Sequence, residues 1–264
     1  MDDDDQLALY LRTLEERLDP TALFRRVVGA PCDPWQARML TSTSPFIYAT
    51  CSRRCGKSQT VGVLAAHTVA TPNRNVVILS PTLAQSQLLF KRCLQAWHEL
   101  GLPVQKTRLT QTTMELANGS VIVCVPAGND GESARGLGVK DGGLLIYEEF
   151  AFISEDAIMA TLPIRESGGR ILAITTPGRK GTFAHRLWEE NNEVEKISAR
   201  STEIPRLAEK VAFDQRFMPP NQFATEHLLR WMGQGGIQFF APETITASFT
   251  DTPELKLGDF LHVA

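Results

Sequence analysis

The most restrictive feature of this chain is a strand-like run, FIYAT at 46–50, that passes through Cys51-Ser52-Arg53-Arg54-Cys55-Gly56-Lys57-Ser58 straight into an apolar helical pattern reaching about Val69. Strand, loop and helix in that order, with Gly-Lys-Ser at the helix start, is the context of a phosphate-binding loop. Gly56 lets backbone approach a phosphate, the loop N–H groups and helix N-terminus attract the anion, Lys57 neutralises the outer phosphates, and Ser58 offers a hydroxyl to Mg²⁺. The segment departs from the usual pattern in carrying Cys51 where the first glycine stands. The expected nucleotide-side residues are Ser52, Arg53, Arg54, Cys55, Gly56, Lys57, Ser58 and Gln59, with ATP and Mg²⁺ as cofactors.

The rest of the pattern repeats the same alternation. NVVILS at 75–80 precedes a helical stretch from about Ala84 to Leu100, and LLIYE (144–148) and RILAITT (170–176) read as strands buried on both faces. Asn118-Gly119 joins Thr113–Ala117 to Ser120–Val125 and predicts an inserted antiparallel hairpin with a tight turn of positive φ. The expected fold is α/β: a mostly parallel P-loop NTPase sheet of about five core strands flanked by helices. A helical N-terminal appendage precedes it, with Leu7, Leu11, Leu14 and Leu18 at helical spacing before Pro20. EKISARS (195–201) offers one more strand and residues 221–232 one more helix. The domain boundaries read as 1–30 for the appendage, 31–205 for the ATPase core and 206–264 for a lid and linker.

Size and charge narrow the function. At 264 residues the chain accommodates one large α/β domain and leaves no space for two nucleotide-binding lobes. No apolar stretch approaches the ~18 residues of a membrane span, so no membrane partner is expected. A formal charge of −3 gives no global basic excess, so nucleic-acid contact must be local. Five scattered cysteines fit reduced thiols better than a disulfide framework.

Two further constellations belong with the loop. The strand LLIYE ends in Glu148-Glu149, about 90 residues after the loop, at the C-terminal strand end where open α/β sheets bind ligands. One carboxylate there suits hydrated Mg²⁺ and the other an attacking water. Thr175-Thr176-Pro177-Gly178 ends another strand with hydroxyls suited to a γ-phosphate. Upstream, Gln36 carries an amide that suits either an adenine edge or a helix surface.

The order of these pieces resembles the ATPase domain of the large terminase subunit, the DNA-packaging motor of tailed bacteriophages and herpesviruses. DPWQ, SRRCGKS, SPTLAQS, ELANGSVIV, SARGLG, LLIYEEFAFI and TTPGRKGTF carry the resemblance, which covers about residues 31–250. It implies Glu148 as the Mg²⁺ support, Glu149 as the catalytic base, Arg53 as the loop arginine, Arg135 as a residue reaching a neighbouring subunit's site, and Thr175-Thr176-Pro177 as the coupling motif. The family usually has Asp-Glu where this chain has Glu148-Glu149. The implied function is an ATP-hydrolysing motor translocating double-stranded DNA into a procapsid. The implied partners are a portal protein, a small terminase subunit and a homo-oligomeric ring, in the host cytoplasm at the portal. Arg54, Lys91, Arg92, Arg179 and Lys180 are candidates for DNA phosphates. The family's C-terminal nuclease is expected beyond Ala264. The competing readings are a helicase-like lobe and a non-catalytic nucleotide-binding packaging or scaffold subunit.

Overall fold

Strands form where β-branched and aromatic residues run together, and here those runs stack into one sheet. The computed structural model describes residue 11 and residues 14–127 and 138–233. The strands are β1 (Phe46–Cys51), β2 (Asn75–Ser80), β3 (Lys106–Leu109), β4 (Thr113–Leu116), β5 (Val121–Pro126), β6 (Leu144–Glu148), β7 (Arg170–Thr175) and β8 (Glu195–Ala199). Their order across the sheet is β3-β4-β5-β2-β6-β7-β1-β8. Pairing is parallel from β5 through β8 and antiparallel along β3-β4-β5. The expected mostly parallel α/β architecture is therefore present, with more strands than the apolar runs alone announce.

The side chains of β1 show how the layers form. Ile47, Ala49 and Cys51 enter one core with α1 (Pro20–Val28), α2 (Pro34–Thr41), α3 (Lys57–Ala70) and α4 (Leu83–Leu100). Tyr48 points the other way, into a core with α5 (Glu155–Thr161) and α6 (Phe183–Glu190). There its ring meets Phe150 and Trp188 edge-on, at 5.3 and 5.2 Å between centroids. The connection after β1 covers one face and the connection after β7 the other, which opens a crevice at the C-terminal strand ends.

The inserted hairpin is present and joins the sheet through the β5–β2 pairing, while other local details differ from expectation. Its turn is also looser than a two-residue one: the Leu116 N–H donates to the Ser120 carbonyl at 2.9 Å, and only Gly119 takes positive φ, at 82°. Asn118 turns its side chain to accept from the Ser120 N–H and to donate to the Val69 carbonyl, which fixes the hairpin to α3. Strand β3 is polar and exposed, and it exists through pairing with β4, including an Arg108–Glu115 ion pair at 3.1 Å.

The N-terminal segment is helical at 14–18 and in α1, but Leu11, Leu14 and Leu18 face solvent while Glu16 is buried against Arg26 at 2.8 Å. The expected helix at 221–232 stops early. Helices α7 (Ala208–Phe217) and α8 (Pro220–Glu226) are followed by irregular chain whose Met232 N–H donates to the Gly178 carbonyl and whose Met232 carbonyl accepts from the Lys180 N–H. That pairing with the loop after β7 draws the backbone out of the helix. Among the described residues no helix is long and apolar enough to cross a membrane.

Candidate active site

The crevice gathers three strand ends. β1 delivers the loop 52–56 and the first turn of α3, β6 delivers Glu148 and Glu149, and β7 delivers Thr175 and Thr176. Gly56 adopts φ 105°, and a Cβ there would lie 2.9 Å from Gln36 Nε2, so only glycine fits between the loop and the residue behind it. Lys57 is 8% exposed, and its ammonium reaches all three strand ends. It donates to Thr176 Oγ1 at 2.5 Å and to the Cys51 carbonyl at 3.4 Å, and it pairs with Glu149 Oε1 at 3.3 Å.

The adjacent carboxylates part company in environment. Glu148 is 7% exposed and accepts from Ser58 Oγ and Ser80 Oγ, each at 3.0 Å. Burial pushes its carboxyl above the ordinary value of 4.5, and the two serine hydroxyls only partly oppose this. Glu149 sits at φ 52°, a left-handed conformation for a non-glycine residue, and this turn carries its side chain out of the strand line to Lys57 and the Thr176 N–H. It lines two cavities at once. One, of about 390 Å³, is bounded by Arg53, Arg54, Lys57, Ser58, Gln59 and Arg92; the other, of about 590 Å³, lies between Arg53, Phe152, Pro177 and α8.

Several sequence-singled residues do other work. Gln36 is buried rather than on a helix surface: its Oε1 accepts from the Asp33 N–H at 2.8 Å, and its Nε2 donates to Thr60 Oγ1 at 3.0 Å. Thr175 Oγ1 accepts from the Ala151 N–H and donates to the Thr176 carbonyl, so its hydroxyl braces the turn after β6 and leaves Thr176 to face Lys57. Ser52 is buried, bonded to Ser201 and His227. The Cys55 side chain is buried too, its thiol held below the ordinary range chiefly by a hydrogen bond from Cys51. Arg53 and Arg54 are exposed at the cavity mouth. Arg92, singled out for DNA, lines the smaller cavity beside Lys57. Arg135 lies outside the described residues.

Three contributors have no role assigned from the sequence. Ser80, at the end of β2, completes the Glu148 contacts. Arg206 donates to the Cys55 carbonyl at 2.5 Å and to Asp33 Oδ2 at 2.6 Å, holding the loop against the N-terminus of α2. Glu226 offers its carbonyl to the Arg53 N–H at 3.1 Å. Ser80 closes the strand run NVVILS without marking itself as a site residue, and Arg206 and Glu226 come from the part of the chain beyond the alternation of strands and helices.

The arrangement combines a cation-lined cavity, a glycine-opened backbone loop at a helix start, and a pair of carboxylates held apart in character. Such a site accepts a polyphosphate with a divalent cation. Among solved structures, the chain is similar to the Thermus phage P74-26 large terminase ATPase domain at 20% identity, with a TM-score of 0.63 over 81% of this chain and 99% of that one. It is also similar to the HK97 bacteriophage large terminase at 16% identity, with a TM-score of 0.58 over 81% of this chain and 55% of that one. A comparison with curated protein sequences gives no match. The model of the family described as terminase large subunit, T4likevirus-type, N-terminal, matches residues 49–253, and the chain belongs to that family.

Proposed function

We propose that this domain binds ATP with Mg²⁺ at the loop 52–58 and hydrolyses it, as the engine of a motor that moves double-stranded DNA into a procapsid. The observation that carries the reading is the Lys57 ammonium, held at once by Cys51 at the end of β1, by Glu149 after β6 and by Thr176 after β7. Three segments remote in sequence converge on one cation beside a cavity lined by further arginines. Membership of the terminase family supports the motor role. A similar large terminase from a thermophilic bacteriophage, 16% identical with a TM-score of 0.59, has been solved with ADP.

The donor set fits Mg²⁺. Ser58 Oγ and Glu148 Oε1 lie 3.0 Å apart, both hard oxygens, and the Glu148 charge is buried with only neutral hydroxyls bonded to it. The cation neutralises phosphate charge when bound. Lys57 binds the outer phosphates through its ammonium and, in doing so, gives up Glu149. Freed from that ion pair, Glu149 accepts the proton of the attacking water at its carboxylate. Thr176 then reports the state of the site to the Pro177-Gly178 loop. Residues 206–264 supply the lid and linker, and Arg135 serves a neighbouring subunit in a ring assembled at the portal with the small subunit and DNA.

Calorimetric titration with Mg²⁺ and ATP tests the site. Lys57→Ala weakens binding by about a hundredfold while the far-UV spectrum stays native, since a buried charge-assisted contact to phosphate is lost. Unchanged affinity in the folded variant removes the site from loop 52–58.

A further inference from the structure

The phosphate loop is gripped by a buried chain of side chains that its own motif does not contain. Ser52 Oγ donates to the His227 carbonyl at 3.1 Å and accepts from the Ser201 N–H at 2.9 Å. Ser201 Oγ in turn meets His227 Nδ1 at 2.7 Å. On the far side of the ring, Nε2 lies 3.0 Å from Asp214 Oδ2 without the alignment of a hydrogen bond, and Lys210 Nζ donates to the same oxygen at 2.6 Å. Phe223 stacks on the imidazole, 4.6 Å between centroids. Ser201 and His227 are 1% and 2% exposed.

The order Asp214, His227, Ser201 is that of a nucleophile triad, but a serine sealed from solvent and bonded to a second serine has no access to a substrate. What the chain of contacts does is mechanical. His227 closes α8, and its ring and carbonyl together hold the end of β8 and the first residue after β1. The neighbouring Glu226 carbonyl holds the Arg53 N–H, and six residues on, Met232 pairs with the loop after β7. One short segment therefore touches both the phosphate loop and the loop that follows Thr176.

We propose that His227 is a positioning residue for the nucleotide site: through Ser201 and Ser52 it fixes the phosphate loop to α8, so that the loop's receiving conformation and the placement of residues 220–232 change together. This rests on the nucleotide-binding reading above and assigns a role outside the phosphate loop and the carboxylate pair. The residue acts through the loop backbone and touches neither phosphate nor the reacting water, so its loss falls on binding and spares the chemical step.

The test uses the whole 264-residue chain. His227→Ala raises KM for ATP about tenfold with kcat within about threefold, the size expected for a misplaced but intact loop. His227→Asn keeps a polar atom where Nδ1 stands and returns KM to within about threefold of wild type. Ser201→Ala is the milder variant should His227→Ala fail to fold, and it raises KM in the same sense. Hydrogen exchange gives a readout independent of turnover: the Arg53 amide exchanges about tenfold faster in His227→Ala while the Ile146 amide in β6 does not change. An unchanged KM in the folded variants, or exchange that accelerates equally at Arg53 and Ile146, overturns the proposal. If the wild-type protein binds no nucleotide, the functional reading fails, and exchange at Arg53 still decides whether His227 holds the loop.

Discussion

Each end of the parallel sheet holds a carboxylate drawn at least partly out of solvent, and the two are treated in opposite ways. At the N-terminal end, Arg170 donates to the carbonyls of Ser42 at 2.5 Å and Ser44 at 3.1 Å, and Glu195 accepts from Ser42 Oγ and from Arg38 Nε at 2.8 Å. The Ser42 hydroxyl is the largest influence holding the Glu195 carboxyl below its ordinary value, with Arg38 and Arg170 adding to it. At the C-terminal end, Glu148 has two hydroxyls as hydrogen-bond partners and is held above its ordinary value by burial. Glu195 is a satisfied charge and Glu148 an under-compensated one. A carboxylate drawn from solvent does not by itself mark a site. A site appears where the partners can be exchanged and a cavity adjoins them, as with Lys57, Glu149 and Thr176.

The comparison breaks most sharply in kinetics. Glu149→Gln lowers ATP turnover by about two to four orders of magnitude with nucleotide binding retained, because a positioned base is lost. If a folded Arg170→Ala protein shows a loss of the same order under saturating ATP, the two ends are not distinct in function.

Stability gives the mirror image. Arg170→Ala costs about 2–3 kcal/mol in denaturant unfolding, since it leaves the Ser42 and Ser44 carbonyls without their charged donor, and ATP affinity of the folded protein is unchanged. A loss under 0.5 kcal/mol, on the scale of an ordinary surface change, would show those contacts to be idle.

The two carboxylates themselves have opposite signs. Glu195, with a lowered folded pKa, contributes stability that is present above its ordinary value of 4.5 and lost as pH falls through the lower folded value. Glu148, with a raised folded pKa, contributes stability below 4.5 that is lost as pH rises through the folded value. In metal-free protein at neutral pH, Glu148→Gln therefore raises Tm and Glu195→Gln lowers it, each by roughly 2–4 °C. Thermal melts at pH 7 that move in the same direction would remove the contrast.

The smallest effect lies in the hairpin turn that joins β4 to the N-terminal end of β5. Gly119→Ala, at φ 82°, costs about 1 kcal/mol and leaves turnover untouched. A change in turnover beyond about twofold would couple that end of the sheet to the site.

What could be read from residue order was whatever depends on local periodicity and on single residue types with strict geometric demands. The runs 75–80 and 144–148 coincide with β2 and β6 because residues 76–79 and 144–147 are buried on both faces and apolar, with a polar residue only at the run ends. Gly56, Lys57 and Ser58 stood out because a helix start beside backbone approach admits few residues. Tertiary contact decided the rest. Strand β3 is polar and needs β4, helix α7 buries little but Asp214 and shows no apolar stripe, and the leucines of the N-terminal helix do not mark its buried side. Likewise, Thr175 and Thr176 are equivalent in sequence, yet one hydroxyl braces the turn after β6 and the other meets Lys57. Arg206 and His227 reach the loop from 151 and 175 residues away in the chain, and Ser80 reaches Glu148 across 68. Side-chain direction and long-range pairing are set by packing against partners that no local window contains.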